Sequence, residues 1–332
     1  MPRAGRDNKP APTIADVAAL AGVSRAVASR ALSTDKRPVS PEKKARVEAA
    51  AAQLRYSPNA LARGMSRQSL DLVAVVVNHI HDLSDIDLFD RLLEAIQQLG
   101  KQMILIRMDS EDHAAEVIQK GIAYHVDAAL VFSDFADAPR IRDLFRSETV
   151  IMLNGRHDDI SPAVIADEAP GIAAAVADAA AKGVRTAALV TGRATSPTEK
   201  KRIDHYLTAL ADAGIALERM VQGDYSYASG RAAASMLAGD IWPEAVFCTS
   251  DAMAMGLLDM RRDDFLGNRP GRFRLYGFDN LSLIGMAAYP IASIGFNKAD
   301  YVARIAQLLT NPAAPGERLV TVPTHFVPGA TA

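Results

Sequence analysis

The chain has 332 residues, 49% apolar and 23% charged, an ordinary globular composition that excludes collagen-like, mucin-like and mostly disordered chains. At roughly 150 residues per domain it has room for two or three. The formal net charge is only −2, yet residues 1–70 carry 13 lysines and arginines against 5 acids, or +8, and the remainder carries −10; a basic head on an acidic body suits a nucleic-acid-binding protein, and a basic tail that binds nothing is the plain alternative.

Residues 1–12 (MPRAGRDNKPAP) hold no apolar run, so no signal peptide is read and a cytoplasmic chain is expected. No run of about 18 apolar residues predicts a membrane span. The single cysteine, Cys248, excludes an internal disulfide framework and any multi-cysteine metal site.

The head reads as three short helices. Thr13 is a candidate N-cap with Asp16 three residues on, a capping-box pattern, followed by Ile14, Val17, Ala18 and Ala21 at helical spacing. Gly22 supplies a turn, and Ser24 caps a second helix to about Leu32, with Val27, Ala28 and Ala31 available to pack inward. Ser40 and Pro41 form an N-cap and N1 pair opening a third, with Val47, Ala50, Ala51 and Leu54 as its apolar stripe. Two helices of about eight residues around a tight glycine turn, plus a supporting helix, make a helix-turn-helix unit whose second helix would enter the major groove. Arg25 and Arg30 lie on its outward side. An arginine takes guanine O6 and N7 with two prongs, so Arg25 is read as a base contact; for Arg30 base and phosphate readings both stay open. Thr13, Ser24, Ala26 and Ser29 complete the DNA-binding set. In residues 56–68, Pro58 can open roughly two helical turns over Asn59 to Met65, too short to hold alone and weakened by Gly64.

TIADVAALAGVSRAVASRAL (13–32) and PVSPEKKARVEAAAAQLRYSPNALARGM (38–65) resemble the head and hinge of the LacI family of bacterial transcription regulators, and the resemblance covers nearly the whole chain. It implies a homodimer whose heads read two half-sites of a pseudo-palindromic operator in double-stranded DNA. It also implies paired hinge helices in the central minor groove, where a wedging leucine kinks the duplex. That role falls by position on Met65, with Asn59 and Ala62 beside it; apolar side chains of this kind unstack base steps. Val27 stands where the family commonly has a hydroxyl that touches the backbone.

From about residue 71 strands and helices alternate. Strand-like runs are 72–77, 103–108, 128–132, 150–153, 187–192, 245–250, 274–279 and 291–296, with amphipathic stretches at 85–99, 111–124, 168–182, 199–213, 228–238 and 298–310. Apolar strands separated by helices predict doubly wound parallel sheets, and the two runs of them suggest two similar α/β lobes with a ligand cleft beyond the strands' carboxyl ends. The resemblance makes this body periplasmic-binding-protein-like, with the chain crossing between lobes more than once. The expected organisation is a disordered tail at 1–12, the helix-turn-helix domain at 13–57, a hinge helix and linker at 58–70, and an effector-binding and dimerisation domain at 71–332. Its lobes would be about 71–165 with 297–322, and about 166–296 with 323–332.

Cleft candidates follow strand ends: Asn78 and His79, then Asp82, Asp85 and Asp87 with Phe89 beyond; Asn154, Gly155 and Arg156; Ser196 and Thr198; and Asp251. The resemblance marks four positions. Arg202 in Arg202-Ile203-Asp204-His205-Tyr206 matches a ligand-binding arginine, with His205 where the family has glycine. Asp251 matches a ligand contact, Tyr225 an aromatic that stacks on a ring, and Phe89 a cleft aromatic. An arginine facing an aspartate would suit vicinal sugar hydroxyls; against this, Asp251 reads equally as a helix N-terminal charge and Arg202 as an ion pair with Glu199. Of the seven histidines only His79 and His81 are close, so no metal and no cofactor is expected. No phosphate loop, dinucleotide fingerprint or nucleophile elbow is present, and an enzyme is not expected. The expected partners are operator DNA, a small-molecule effector of the sugar kind and a second copy of the chain, with no membrane. The competing reading is a sugar-binding or sugar-modifying α/β protein whose basic head does not read DNA. The chain ends in HFVPGATA without added heptads, which favours dimers over tetramers.

Overall fold

The computed structural model describes residues 12–32, 39–56, 70–78, 83–110, 112, 113, 116, 126–133, 135–153, 158, 160–237, 242–262, 273–311 and 318–332. The chain divides at Leu70 and Asp71 into two compact units.

The first unit holds α1 (Ile14–Ala21), α2 (Arg25–Ala31) and α3 (Pro41–Leu54). Thr13 and Asp16 close the expected capping box: the Thr13 amide and hydroxyl each donate to the Asp16 carboxylate at 2.8 Å, and the Thr13 side chain accepts from the Asp16 amide. Gly22 ends α1 at φ 63°, a left-handed conformation that favours glycine. The Arg46 guanidinium of α3 hydrogen-bonds the Ala21 and Gly22 carbonyls, so the supporting helix finishes the turn. Ser24 caps α2 through the Val27 amide. Ser40 does not cap α3 with its side chain; Pro41 at N1 is what opens that helix. The core is mostly alanine with Val17 and Val47, which lets the three helices approach closely; Val27 is only half-buried.

The second unit has two sheets. The first runs β10-β11-β5-β4-β3-β1-β2, built from β1 (Leu72–Val77), β2 (Gln102–Arg107), β3 (Ala128–Val131), β4 (Val150–Met152), β5 (Ala163–Asp167), β10 (Ser293–Phe296) and β11 (Leu319–Val327). The second runs β7-β6-β8-β9, from β6 (Thr186–Thr191), β7 (Ala216–Gln222), β8 (Ala245–Cys248) and β9 (Arg274–Tyr276). All pairings are parallel except β10 with β11. Described helices flanking the sheets are α4 (Leu83–Gln98), α5 (Ala138–Phe145), α6 (Ala169–Ala181), α7 (Pro197–Asp212), α8 (Tyr227–Leu237), α9 (Asp251–Met260) and α10 (Lys298–Thr310). The stretch 111–124 falls largely outside the described residues.

The central strands are buried on both faces, as continuous apolar runs require. Val73, Val75 and Val77 of β1 pack into one cluster while Ala74 and Val76 pack into the opposite one, and β6 divides likewise between Ala187 with Leu189 and Ala188 with Val190. Within the first sheet β11 changes its partner part-way along. Leu319–Pro323 pairs with β5, and Thr324–Val327 with β10. At that switch the Thr324 hydroxyl accepts from the Gly171 amide at 3.0 Å and donates to the Asp167 carbonyl. A Cβ on Gly171 would meet Thr324 and Ile294 within 2.6 Å, so a residue without a side chain is needed where β5 passes into α6.

A buried hydroxyl in α7 lacks a hydrogen-bond partner among the described residues. Tyr206 of α7 is fully buried against Phe247, and its hydroxyl makes no hydrogen bond. Such a group costs about 1–3 kcal/mol. Tyr206→Phe is therefore expected to raise stability by about 1 kcal/mol in urea denaturation; a loss of that size would mean the hydroxyl has a partner in solution.

Candidate functional site

The head presents one outward face of α2. Arg25, Ala26 and Ser29 are exposed, as are Thr13 and Ser24 at the helix starts. Arg30 is half-buried, and its Nε donates back to the Ala26 carbonyl at 3.1 Å. Arg25 stands in the first turn of the helix, where a side chain inserted into a groove would meet base edges. Asn59, Ala62, Gly64 and Met65 lie outside the described residues.

The body carries a cleft of about 440 Å³, a size suited to one small molecule. One wall is apolar: Leu88 of α4, Phe132 after β3, Leu153 after β4, and Phe296 at the end of β10. The other is polar: Thr198, Lys201, Arg202 and His205 of α7, with Asp279 beyond β9. Glu168, between β5 and α6, closes the back. These are strand ends, where open α/β sheets hold ligands.

A buried polar network sits behind the polar wall. The Arg202 guanidinium grips Glu168 with two prongs, Nε to Oε2 at 2.9 Å and Nη2 to Oε1 at 2.6 Å, and donates from Nη1 to the Thr249 carbonyl at 2.8 Å. It lies 3.8 Å from the centre of the Phe278 ring. Glu199, fully buried, stands 3.8 Å from Nη1 on the other side and accepts from the Gly192 amide, the Thr249 hydroxyl at 2.7 Å and the Tyr225 hydroxyl at 2.8 Å. Burial works against the charge on Arg202, but Glu168 and Glu199 overcome it and hold the guanidinium firmly protonated. Burial, then Glu199, pushes the Tyr225 phenol well up, so it stays a donor.

Two sequence models match: that of the bacterial regulatory proteins of the lacI family over residues 13–59, and a periplasmic binding protein-like domain over 176–332. The purine repressor PurR of Erwinia tasmaniensis is 31% identical over 286 residues, covering 81% of each chain. The chain belongs to the LacI family. It is a DNA-binding transcriptional regulator and not an enzyme. Catabolite control protein A of Priestia megaterium is 28% identical over 305 residues, 90% of this chain and 91% of its own. A structure of the Lac repressor dimer bound to operator and the anti-inducer ONPF shares the fold at a TM-score of 0.81 and 22% identity, covering 96% and 98% of the two chains.

Against the LacI-family pattern, Arg202 lines the cleft and its pairing is the surprise: the bidentate partner is Glu168, with Glu199 farther off. Asp251 does not face Arg202 across the cleft. It is fully buried in the first turn of α9, accepting from the Ser293 hydroxyl at 2.7 Å and the Leu281 amide at 2.9 Å. Burial, with Asp279 nearby, raises its carboxyl well above the usual range against those two hydrogen bonds. Asp279 does line the cleft, held at φ 108°, a conformation non-glycine residues rarely adopt and one that clusters at binding sites. Phe89 sits one layer back, edge-on to Phe132 at 5.4 Å. Ser196 caps α7, and Tyr225 holds Glu199, so both support the wall rather than line it. Asn78 follows β1 half-buried, its carbonyl accepting from Arg107. His79, His81, Asp82, Asn154, Gly155 and Arg156 lie outside the described residues.

Sequence reasoning missed Asp279, Glu168 and Lys298. The strand-end rule had the signal for Asp279, the last residue of the 274–279 run. Among the described residues no helix is long and apolar enough to cross a membrane, and no group of three or more acidic, histidine or cysteine side chains could hold a metal.

Proposed function

We propose that this regulator senses a small, hydroxyl-bearing ring, a sugar or sugar derivative, and that the ligand's occupancy of the cleft sets operator affinity. The pairing of an apolar wall with a polar one carries this reading. A ring lies its face on Phe132 and Leu88 and turns its polar edge toward Arg202, His205, Thr198 and Asp279. Asp279 takes the acceptor role expected of Asp251. Names of relatives support both a sugar and a purine: PurR points to the second, and a cellobiose complex of the regulator CelR, alike in fold at a TM-score of 0.66, to the first. The chain works as a homodimer on a pseudo-palindrome in the cytoplasm, its hinge around Asn59, Ala62 and Met65 reading the central minor groove.

Cleft and operator then form two linked sites with a reciprocal coupling of about 1–3 kcal/mol. Thermal-shift screening of free sugars and nucleobases, followed by operator selection with and without the hit, tests it: a ligand of the folded body raises Tm by mass action. Melting and operator affinity that respond to no member of either class would overturn the reading.

The DNA contact has its own test. Arg25→Ala is expected to relax base preference at one position per half-site, at a cost of about 1–3 kcal/mol in operator binding. A uniform loss over all sequences, with a shallower salt dependence, would make Arg25 a phosphate contact instead.

A further inference from the structure

We infer that Glu168 is a specificity-determining residue: by holding Arg202, it makes the cleft accept uncharged ligands and refuse anionic ones. The inference rests on the effector cleft proposed above and adds the charge class it selects.

A guanidinium at the wall of a ligand cleft would ordinarily invite a carboxylate or phosphate, which it matches with two parallel hydrogen bonds. Here that fork is already filled from within. Glu168 takes Nε and one Nη2 hydrogen, and the Thr249 carbonyl takes one on Nη1. Of five N–H groups, one on each terminal nitrogen is left over. Glu199, 3.8 Å from Nη1, sets a negative charge beside them, so an anion bridging the two is repelled where a hydroxyl or carbonyl is not.

The charge count points the same way. Glu168 and Glu199 both lie within 4 Å of the one guanidinium, so the cluster carries a net negative charge before any ligand enters. Arg202 and both acids are nearly or fully buried, where water screens them poorly. Asp167 and Asp279 add further acids to the lining. Of the lining cations, Lys298 is engaged by Asp87 and the Asn280 carbonyl, and Lys201 is exposed at the rim, where solvent weakens its pull. The Glu168 side chain stands at the N-cap of α6 without capping it.

Inorganic phosphate is the probe, titrated into the full-length protein at constant ionic strength and followed by phosphorus NMR line broadening. The wild type should show no saturable broadening at millimolar phosphate. Glu168→Gln, which keeps the shape and removes the charge, should gain a saturable site at least about tenfold tighter. The gain should vanish when Arg202→Leu is added, and Glu168→Asp should not acquire it. Saturable phosphate binding by the wild type that Arg202→Leu abolishes would overturn the inference, as would a folded Glu168→Gln protein that gains nothing. If Glu168→Gln does not fold, the wild-type titration still decides. Failure to find any neutral effector would strike the sugar reading and leave this result untouched.

Discussion

Glu199→Ala is expected to destabilise the body by about 3–5 kcal/mol, the range for removing one partner from a buried charge cluster. The side chain is wholly inaccessible and accepts from three donors: the Gly192 amide, the Thr249 hydroxyl and the Tyr225 hydroxyl. Alanine strands all three and leaves Arg202 with Glu168 as its one remaining acidic neighbour among those described. Glu199→Gln should be milder, about 1–3 kcal/mol, because its amide oxygen still accepts while its NH2 faces a hydroxyl that can turn. Urea denaturation followed by circular dichroism would measure both. A loss below about 1 kcal/mol for alanine would mean that water replaces the carboxylate. The same change should weaken effector binding, because Tyr225, held at φ 73°, and the guanidinium both take their positions from Glu199.

Why this network escaped a reading of the sequence is a matter of range. The head was legible because its determinants are local. Thr13 with Asp16, Gly22 and Ser24 each act within four residues, and each does in the structure what its type suggests. Ser40 misled because proline at N1 suffices to start α3 without a side-chain cap. In the body, the strands buried on both faces were plain as apolar runs. Three others were not. β7 is an edge strand, exposed at most positions and carrying Glu218 and Arg219. β11 contains Pro323 and changes partner there. β5 is five residues ending in a charge. Arg202 was found from its motif, but its partner is 34 residues away in sequence and no periodicity links them. Asp251 and Asp279 both follow strands, and only backbone direction decides between them: Asp251 turns inward to Leu281 and Ser293, and the unusual φ at Asp279 accompanies its place at the cleft.

Asp87→Ala is expected to loosen the cleft and weaken effector binding by about 5–150-fold, the equivalent of about 1–3 kcal/mol. Asp87 projects from α4, on the apolar-wall side, and its carboxylate accepts from the Ser282 amide at 2.9 Å and the Ser282 hydroxyl at 3.0 Å, on the loop beyond Asp279. Lys298 reinforces the bridge, 3.4 Å from the same carboxylate and 3.2 Å from the Asn280 carbonyl. These bonds join the two walls, so they stabilise whichever state has the walls together. A ligand touching both walls binds that state best, and losing the bridge lowers its population. Ser282→Ala, which keeps the amide donor, should cost less. Partial burial pushes the Asp87 carboxyl up, but Ser282 and Lys298 outweigh it and hold the group below the usual carboxylate range. The bridge should therefore be fully present at neutral pH, down to the ordinary carboxylate pKa of about 3.9, and be lost as pH falls through the lowered value. Small-angle scattering of the full chain should report a larger radius for Asp87→Ala without effector, and calorimetry the weaker binding. An unchanged radius together with unchanged affinity would mean that the walls are held by the ligand and the apolar core alone.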